Sequence, residues 1–328
     1  QFLAALGFAV REEPFEFSAA PGRYATPVGG LCAMLLMGAA GYLGYLGNSA
    51  AAVLLLLAGG ALVLGAALWI ARRGVLDLPF ARRHGVNLVA TRGDPELWLV
   101  AHLDSKSQPV PIVARAAGVT VCLTAWMLGV VVGVSQLAGG ELGAWWPWVG
   151  GAGVLAALPV AASTVGARSP GALDNASGVC TVLLAADMLP PGRTLGVLLT
   201  SAEELGLAGA RAWAAVHRPR RAINVDGVDD RGGLRLSYTS RRPRALLSAL
   251  FAASAAERQP ATAGLLIPGV LVDGVALADA GWEAVTVSKG TFRTVARIHT
   301  PRDTVHGLEG DGIARTAGVI ARALQELG

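Results

Sequence analysis

Four stretches of this chain contain no Asp, Glu, Lys, Arg or His: Pro27 to Gly47, Ser49 to Ala71, Ala116 to Ala138 and Trp145 to Val165. Each meets the roughly 20 apolar residues that a helix needs to cross the hydrocarbon core of a bilayer. Buried helices of a large soluble core are the competing explanation, but these segments are long, uncharged and arranged as two tight pairs. The first pair turns at "GNS" and the second at "GGELGA". Composition points the same way, with 53% hydrophobic and only 15% charged residues, against about 25% charged in ordinary soluble domains. The chain is therefore read as a multi-pass membrane protein with four transmembrane helices and the lipid bilayer as a partner.

The opening "QFLAALGFAVREEPFEF" is short, carries acids and is followed by no cleavage pattern, so it is not read as a secretory signal peptide. It begins at Gln1 rather than Met, and further residues are expected before it. Cys32 and Cys122 lie inside the expected spans and Cys180 in an apolar helix-like run, which argues against a disulfide framework. The net charge of +4 does not signal a nucleic-acid partner, because many basic residues adjoin the apolar spans and no aromatic residues interleave with them. Arg72, Arg73, Arg82, Arg83, Arg92, Lys106 and Arg115 all fall between the second and third spans. The positive-inside rule then puts the polar portions in the cytoplasm, with Arg11 and Arg23, and leaves Trp145, Trp146 and Trp148 at the opposite interface.

Outside the spans, residues 72–115 and 166–328 remain. The first contains "GVNLVATRGDPELWLVAHLDS", two strand-like runs around a Gly-Asp-Pro turn that cannot cover both faces of a sheet unaided. The second alternates helix-like runs ("GVCTVLLAADML", "GLAGARAWAAV") with short apolar strands ("TLGVLLT", "RAINVDG", "EAVTVSK"), the pattern of an α/β layered sheet. The expected organisation is an N-terminal segment (1–26), a transmembrane pair (27–71), and one discontinuous α/β domain (72–115 and 166–328) into which a second transmembrane pair (116–165) is inserted.

Acids and histidines gather at the ends of those strands. His102 lies in "VAHLDS", Asp174 in "GALDNASGV", Asp226 in "INVDG" and His299 in "RIHTPRDT", while "LLTSAEELGLAGAR" sets Glu203 and Glu204 side by side where a helix is expected to begin, with Ser201 as its cap. Singly, each has an ordinary explanation: a satisfied structural histidine, a turn aspartate, acids in the first turn of a helix. Together they supply the imidazoles and carboxylates of a hydrolytic two-metal site, offered where loops at the carboxyl edge of an α/β sheet converge.

The order "AHLDS", "GALDNASGV", "SAEELGLAGAR", "NVDG", "IHTPRDT" resembles the zinc exopeptidases related to bacterial leucyl aminopeptidase, glutamate carboxypeptidase and glutaminyl cyclase, over roughly residues 85–110 and 166–328. The resemblance implies a three-layer sheet-and-helix domain and two Zn ions. It further implies that His102 and Asp226 bind one ion, Glu204 and His299 the other, and Asp174 both, with Glu203 as general base. Asp104, two residues beyond His102 on the same side of an extended strand, is expected to orient that imidazole. His84, His217 and His306 are set aside as non-ligands, and Arg293 and Arg297 either line the pocket or are solvated.

The stretch "DGVALADAGWEAVTV" is also similar to a pattern of the family, with Gly281 and Ala284 in register, but it departs from it where Gly274 stands in place of a frequent histidine and Trp282-Glu283 replace Ile-Pro. The preceding "LLIPGVLV" offers no tyrosine to steady an oxyanion. The chain is accordingly expected to be a membrane metallopeptidase, an aminopeptidase acting on short peptides. A carboxypeptidase or other amide hydrolase of the same family is the alternative, as is a transport or scaffold protein with an inert peptidase-like domain. Uncharged spans argue against an ion path.

Overall fold

The computed structural model describes residues 1–239, 241–267 and 269–327. The chain order opens with α1 (Phe2–Ala5), β1 (Ala9–Ser18), α2 (Ala20–Tyr45), α3 (Ser49–Trp69), α4 (Val75–Asp77), β2 (Arg82–Arg92) and β3 (Leu97–His102). Next come α5 (Ile112–Leu137), α6 (Trp146–Ala161), α7 (Ser177–Asp187), β4 (Leu195–Thr200), α8 (Ala208–Val216), β5 (Arg221–Val228) and β6 (Gly233–Tyr238). The last elements are α9 (Arg244–Ala256), β7 (Ala261–Leu265), α10 (Asp273–Asp279), β8 (Glu283–Gly290), α11 (Phe292–Arg297) and α12 (Asp311–Glu326). These elements form two compact units. One comprises residues 1–19, 75–107 and 167–328, the other residues 20–74 and 108–166.

The first unit is a mixed eight-stranded sheet in the order β1-β2-β4-β3-β5-β8-β6-β7. β3 ("LWLVAH") and β4 ("LGVLLT") are buried at every position, as strands covered on both faces must be. β4, β3, β5 and β8 run parallel to one another. β2 and β3, consecutive around the Gly-Asp-Pro turn, are not neighbours: β4 lies between them. The opening segment, expected to stand apart from the domain, supplies β1, which pairs antiparallel with β2 at the sheet edge. Its charged, alternating pattern and Pro14 suit an edge strand and hide it from a search for apolar runs.

Successive side chains of β3 point to opposite faces and enter different cores. Leu97, Leu99 and Ala101 join residues of α7, α9 and α12 on one side. Trp98 and Val100 join Trp213 of α8, Leu277 of α10 and Trp282 on the other. The Trp98 and Trp213 rings meet edge to face with centroids 4.7 Å apart, a favoured aromatic geometry. Helices on both faces of the sheet make three layers.

The second unit holds α2, α3, α5 and α6, four helices long and apolar enough to cross a membrane. α2 begins at Ala20, earlier than the uncharged span and including Arg23, and α6 ends at Ala161, short of Val165. Met37, Ala40, Leu56, Ala125, Trp146 and Val149 form the interior, while Leu35, Leu62 and Trp148 are each 74% exposed. α2 and α6 meet through small residues, so closely that a Cβ on Gly41 or Gly150 would lie 3.0 Å from the other's Cα. Gln136 Oε1 accepts from Ser49 Oγ at 2.6 Å and Trp146 Nε1 at 2.8 Å, tying α3, α5 and the start of α6 together.

In the sheet unit, the start of α12 is held by Asp230, whose carboxylate accepts the backbone N–H groups of Glu309, Gly310 and Gly312 at 2.6, 3.1 and 2.9 Å. Burial alone would raise the Asp230 pKa, but these donors outweigh it and hold the carboxyl below its ordinary value. Asp230→Ala is expected to reduce stability by about 1 kcal/mol near neutral pH, as loss of a helix-capping side chain does. A depressed folded pKa stabilises above the unfolded value of about 3.9 and ceases to do so as pH falls through the folded value. Denaturant unfolding in chelator-containing buffer should therefore show wild type and variant converging in strong acid. A gap independent of pH would rule out the charge as the source.

Candidate metal centre

The parallel strands β4, β3 and β5 bring their carboxyl ends to one edge, and the chemistry-bearing residues follow those ends. His102 closes β3 and is 1% exposed. Its Nδ1 lies 2.9 Å from the backbone oxygen of Asp104. An Nδ1–H donated there leaves Nε2 with its lone pair facing the acids. The Asp104 carboxylate does something else: its two oxygens accept the backbone N–H groups of Glu203 and Glu204 at 3.0 and 3.1 Å. Asp104 therefore meets His102 through its backbone, its nearer side-chain oxygen being 3.8 Å from that Nδ1.

The two glutamates do not begin a helix. They occupy a turn after β4, with Ala202 and Leu207 at positive φ, and α8 starts only at Ala208. Ser201, expected to cap, instead accepts Val86 N–H through Oγ and donates its own N–H to Asn87. Asp104 takes the N–H groups of both glutamates, and the positive φ of Ala202 and Leu207 on either side keeps the segment a turn rather than a helix.

Asp174 sits in the tight turn Ala172–Ala176 ahead of α7. Asp303 fixes that turn by accepting the N–H groups of Leu173 and Asp174 at 2.6 and 3.2 Å. Asn175 joins it to β5, donating to Val225 O at 2.9 Å and accepting Gly227 N–H at 3.1 Å. A register irregularity between Val225 and Val228 lies at Asp226, the kind of bulge that re-aims a side chain near a site. His299 follows α11 with φ +61°.

These segments converge. Asp174 Oδ1 lies 3.1 Å from His102 Nε2, and its Oδ2 lies 2.9 Å from His299 Nε2. His102 Nε2 is 3.8 Å from Asp226 Oδ1, and His299 Nε2 is 3.2 Å from Glu204 Oε1. Two sets of donor atoms result, each within 4.8 Å of one another: His102, Glu203 and Asp226, and Asp174, Glu204 and His299. Every residue the sequence nominated as a ligand is in one of them. Glu203, nominated as a base, shares the first.

The crowding of acids in a buried place sets their protonation. Burial raises Glu203 well above the usual carboxylate range against the opposing pull of His102, with Glu204, Asp226 and Asp273 adding to the rise. Glu204 goes down despite burial, because Lys106 and His299 face it. Asp174 is likewise held low against burial by its two imidazoles. Burial disfavours the charged forms of His102 and His299, but the surrounding carboxylates win and raise both. Lys106 is raised by Glu204 and Glu203 against its burial.

The donor set suits a borderline divalent ion such as zinc, being imidazole nitrogen and carboxylate oxygen. Buried His102 Nε2 and Glu204 Oε1 have no hydrogen-bond partner among the described residues, as atoms reserved for coordination would. His84, His217 and His306 lie outside both donor sets; His217 stacks on Trp213. Arg297 donates to Gly307 O and Thr304 O, bracing its own loop, and Arg293 is exposed. A Cβ at Gly274 would collide with Thr286 Oγ1, so a histidine does not fit there as Thr286 now stands.

Sequence reasoning overlooked Lys106, Asn175, Asp273 and Asp303 as parts of the site. Asn175 and Asp303 were visible inside the motifs, but their contacts are to backbone and leave no spacing signal. Asp273, fully buried at the start of α10 and hydrogen-bonded by Thr200 Oγ1, is pushed up to about 7 by burial.

The profile of peptidase family M28 matches residues 157–324, more than half of the 328-residue chain, and the chain belongs to that family. The match includes Asp174, Glu203, Glu204, Asp226 and His299; His102 lies before it and joins through β3. The fold resembles that of an aminopeptidase from Aneurinibacillus sp. strain AM-1, with TM-score 0.50 and 18% identity, covering 75% of this chain and 48% of that one. It also resembles a glutaminyl cyclase from Fimbriiglobus ruber, with TM-score 0.50 and 13% identity, covering 99% and 83% of the two chains. The chain thus spans about half the length of the Aneurinibacillus aminopeptidase. No curated protein sequence matches it.

Proposed function

We propose that this chain is a membrane-embedded zinc aminopeptidase that removes N-terminal residues from short peptides at a two-ion site. The observation that carries the reading is the placing of Asp174, whose two oxygens face two different imidazoles at 3.1 and 2.9 Å, the arrangement a bridging carboxylate requires. His102 and Asp226 would hold one ion and Glu204 and His299 the other. When bound, such ions acidify a water molecule and polarise the scissile carbonyl.

The rest of the chemistry falls to the chain's own groups. Glu203, buried and with its backbone pinned by Asp104, takes a proton from the attacking water and returns it to the leaving amine nitrogen. Glu204, in contact with His299 and Lys106, stays ionised as a ligand. The same backbone clamp thus presents two adjacent glutamates for different work. The aminopeptidase assignment draws on the resemblance stated from the motifs and on the fold shared with the Aneurinibacillus enzyme.

Glu203→Gln is expected to retain two ions by metal analysis while turnover falls by about 100-fold or more. Glu204→Gln should instead lower ion affinity by at least about tenfold. Equal ion loss in both variants would contradict the division of roles. Acetylating the amino terminus of a peptide substrate should abolish cleavage; efficient cutting of blocked peptides would favour carboxypeptidase or internal cleavage.

The four apolar helices support membrane embedding, and the basic residues between α3 and α5 support a cytoplasmic catalytic unit. In a variant lacking the three native cysteines, a cysteine at exposed Ala144 should react with an impermeant reagent from outside intact cells, and one at exposed Arg242 should not. The opposite pattern would put the catalytic unit outside.

A further inference from the structure

The loop that follows β3 carries a cation that neither the motif order nor the ligand scheme employs. Lys106 Nζ lies 2.6 Å from Glu204 Oε2, with the lysine side chain 20% exposed and that of Glu204 only 4%. The other oxygen, Glu204 Oε1, lies 3.2 Å from His299 Nε2 and is buried without a hydrogen-bond partner. The carboxylate is therefore divided: one oxygen faces the donor cluster and the other is occupied by an ammonium. The same short loop fixes the glutamate's backbone, because Asp104 Oδ2 accepts Glu204 N–H at 3.1 Å. Main chain and side chain of Glu204 are both gripped from residues 104–106, immediately beyond His102.

A glutamate free to turn about its last bond can offer both oxygens to one ion. That would add a ligand and close a position that a catalytic site must keep open for water or substrate. An ammonium held on Oε2 opposes this, and its charge also repels an ion approaching the cluster. We propose that Lys106 is a positioning residue that confines Glu204 to ligation through Oε1, so that the chain binds its second ion less tightly and turns over faster than it would without the lysine. The proposal rests on the two-ion reading above.

The consequence is an opposite movement of two quantities that a merely structural contact would move together. The full-length protein, purified in detergent and stripped with chelator, is titrated with Zn2+ and Co2+ against a chromophoric competitor, as wild type, Lys106→Met and Lys106→Arg. Lys106→Met is expected to bind the weaker ion about tenfold more tightly, while kcat falls by about 10- to 100-fold, the range seen when groups supporting a ligand are removed. KM should change little, and the visible absorption of the Co2+ form should weaken as the ion gains a ligand. Lys106→Arg, which keeps the charge, should restore both quantities towards wild type. Weaker ion binding together with lower kcat and lower Tm in Lys106→Met would overturn the proposal in favour of a structural prop, and no change in either quantity would also overturn it. Two ions in the wild type with no tightening in the variant would sink the role of Lys106 alone. Fewer than two ions in the wild type would sink the two-ion reading and this proposal with it.

Discussion

The parallel pairing of β3 between β4 and β5 is the constraint on which the rest of the sheet unit depends. A parallel ladder aligns chain direction, so three strands that begin at one edge must end at the other, and their following loops share a single crevice. His102 ends one strand, Asp226 lies near the end of another, and the glutamate turn follows the third. Only side chains buried on both faces allow a strand to hold that central place. The unbroken apolar runs of β3 and β4 are thus as necessary to the donor cluster as the donors themselves.

What the crevice then has to tolerate is like charge in a dry place. Asp174, Glu203, Glu204, Asp226 and Asp273 are brought together with His102, His299 and Lys106 to oppose them. Buried carboxylates of this kind either take up protons or find cations. Asp174 and Glu204, held between His102, His299 and Lys106, go down, while Glu203, Asp226 and Asp273 go up, Asp226 because burial outweighs the pull of His102. Backbone ties keep this repulsive set from spreading. Asp303 holds the Asp174 turn, Asn175 stitches it to β5, and Asp104 holds the glutamates. The anchoring carboxylates accept N–H groups from the loops that carry the donors, so part of the acidic charge steadies the remainder.

The legibility of this arrangement in the sequence varied with how local its cause is. β3, β4, β5 and β8 announce themselves as short apolar runs, and the four membrane-length helices by the absence of charge. β1 does not, because "AVREEPFEFS" is half solvated and becomes a strand only through β2, far along the chain. The glutamates were misread as a helix start for the same reason: Asp104, which captures their N–H groups, is about a hundred positions away. Candidate donors could be named from motif order, since loops after successive strands are where an α/β sheet exposes polar side chains. Lys106 could not, because a lysine near a membrane span has an ordinary topological explanation and its partner is visible only in three dimensions.

The chain path imposes one further condition. β1 and β2 pair across the whole of α2 and α3, and β3 meets β4 only after α5, α6 and α7 have intervened. Such non-local pairings must bear the loop-closure cost before any contact is gained, which slows assembly. His102 precedes the second helix pair, whereas Asp174, Glu203, Glu204, Asp226 and His299 all follow it. The donor cluster therefore cannot exist in any partial fold that lacks the β3–β4 and β3–β5 ladders. An ion bound at this edge would select the completed sheet, because a ligand that binds only the assembled form stabilises it by mass action.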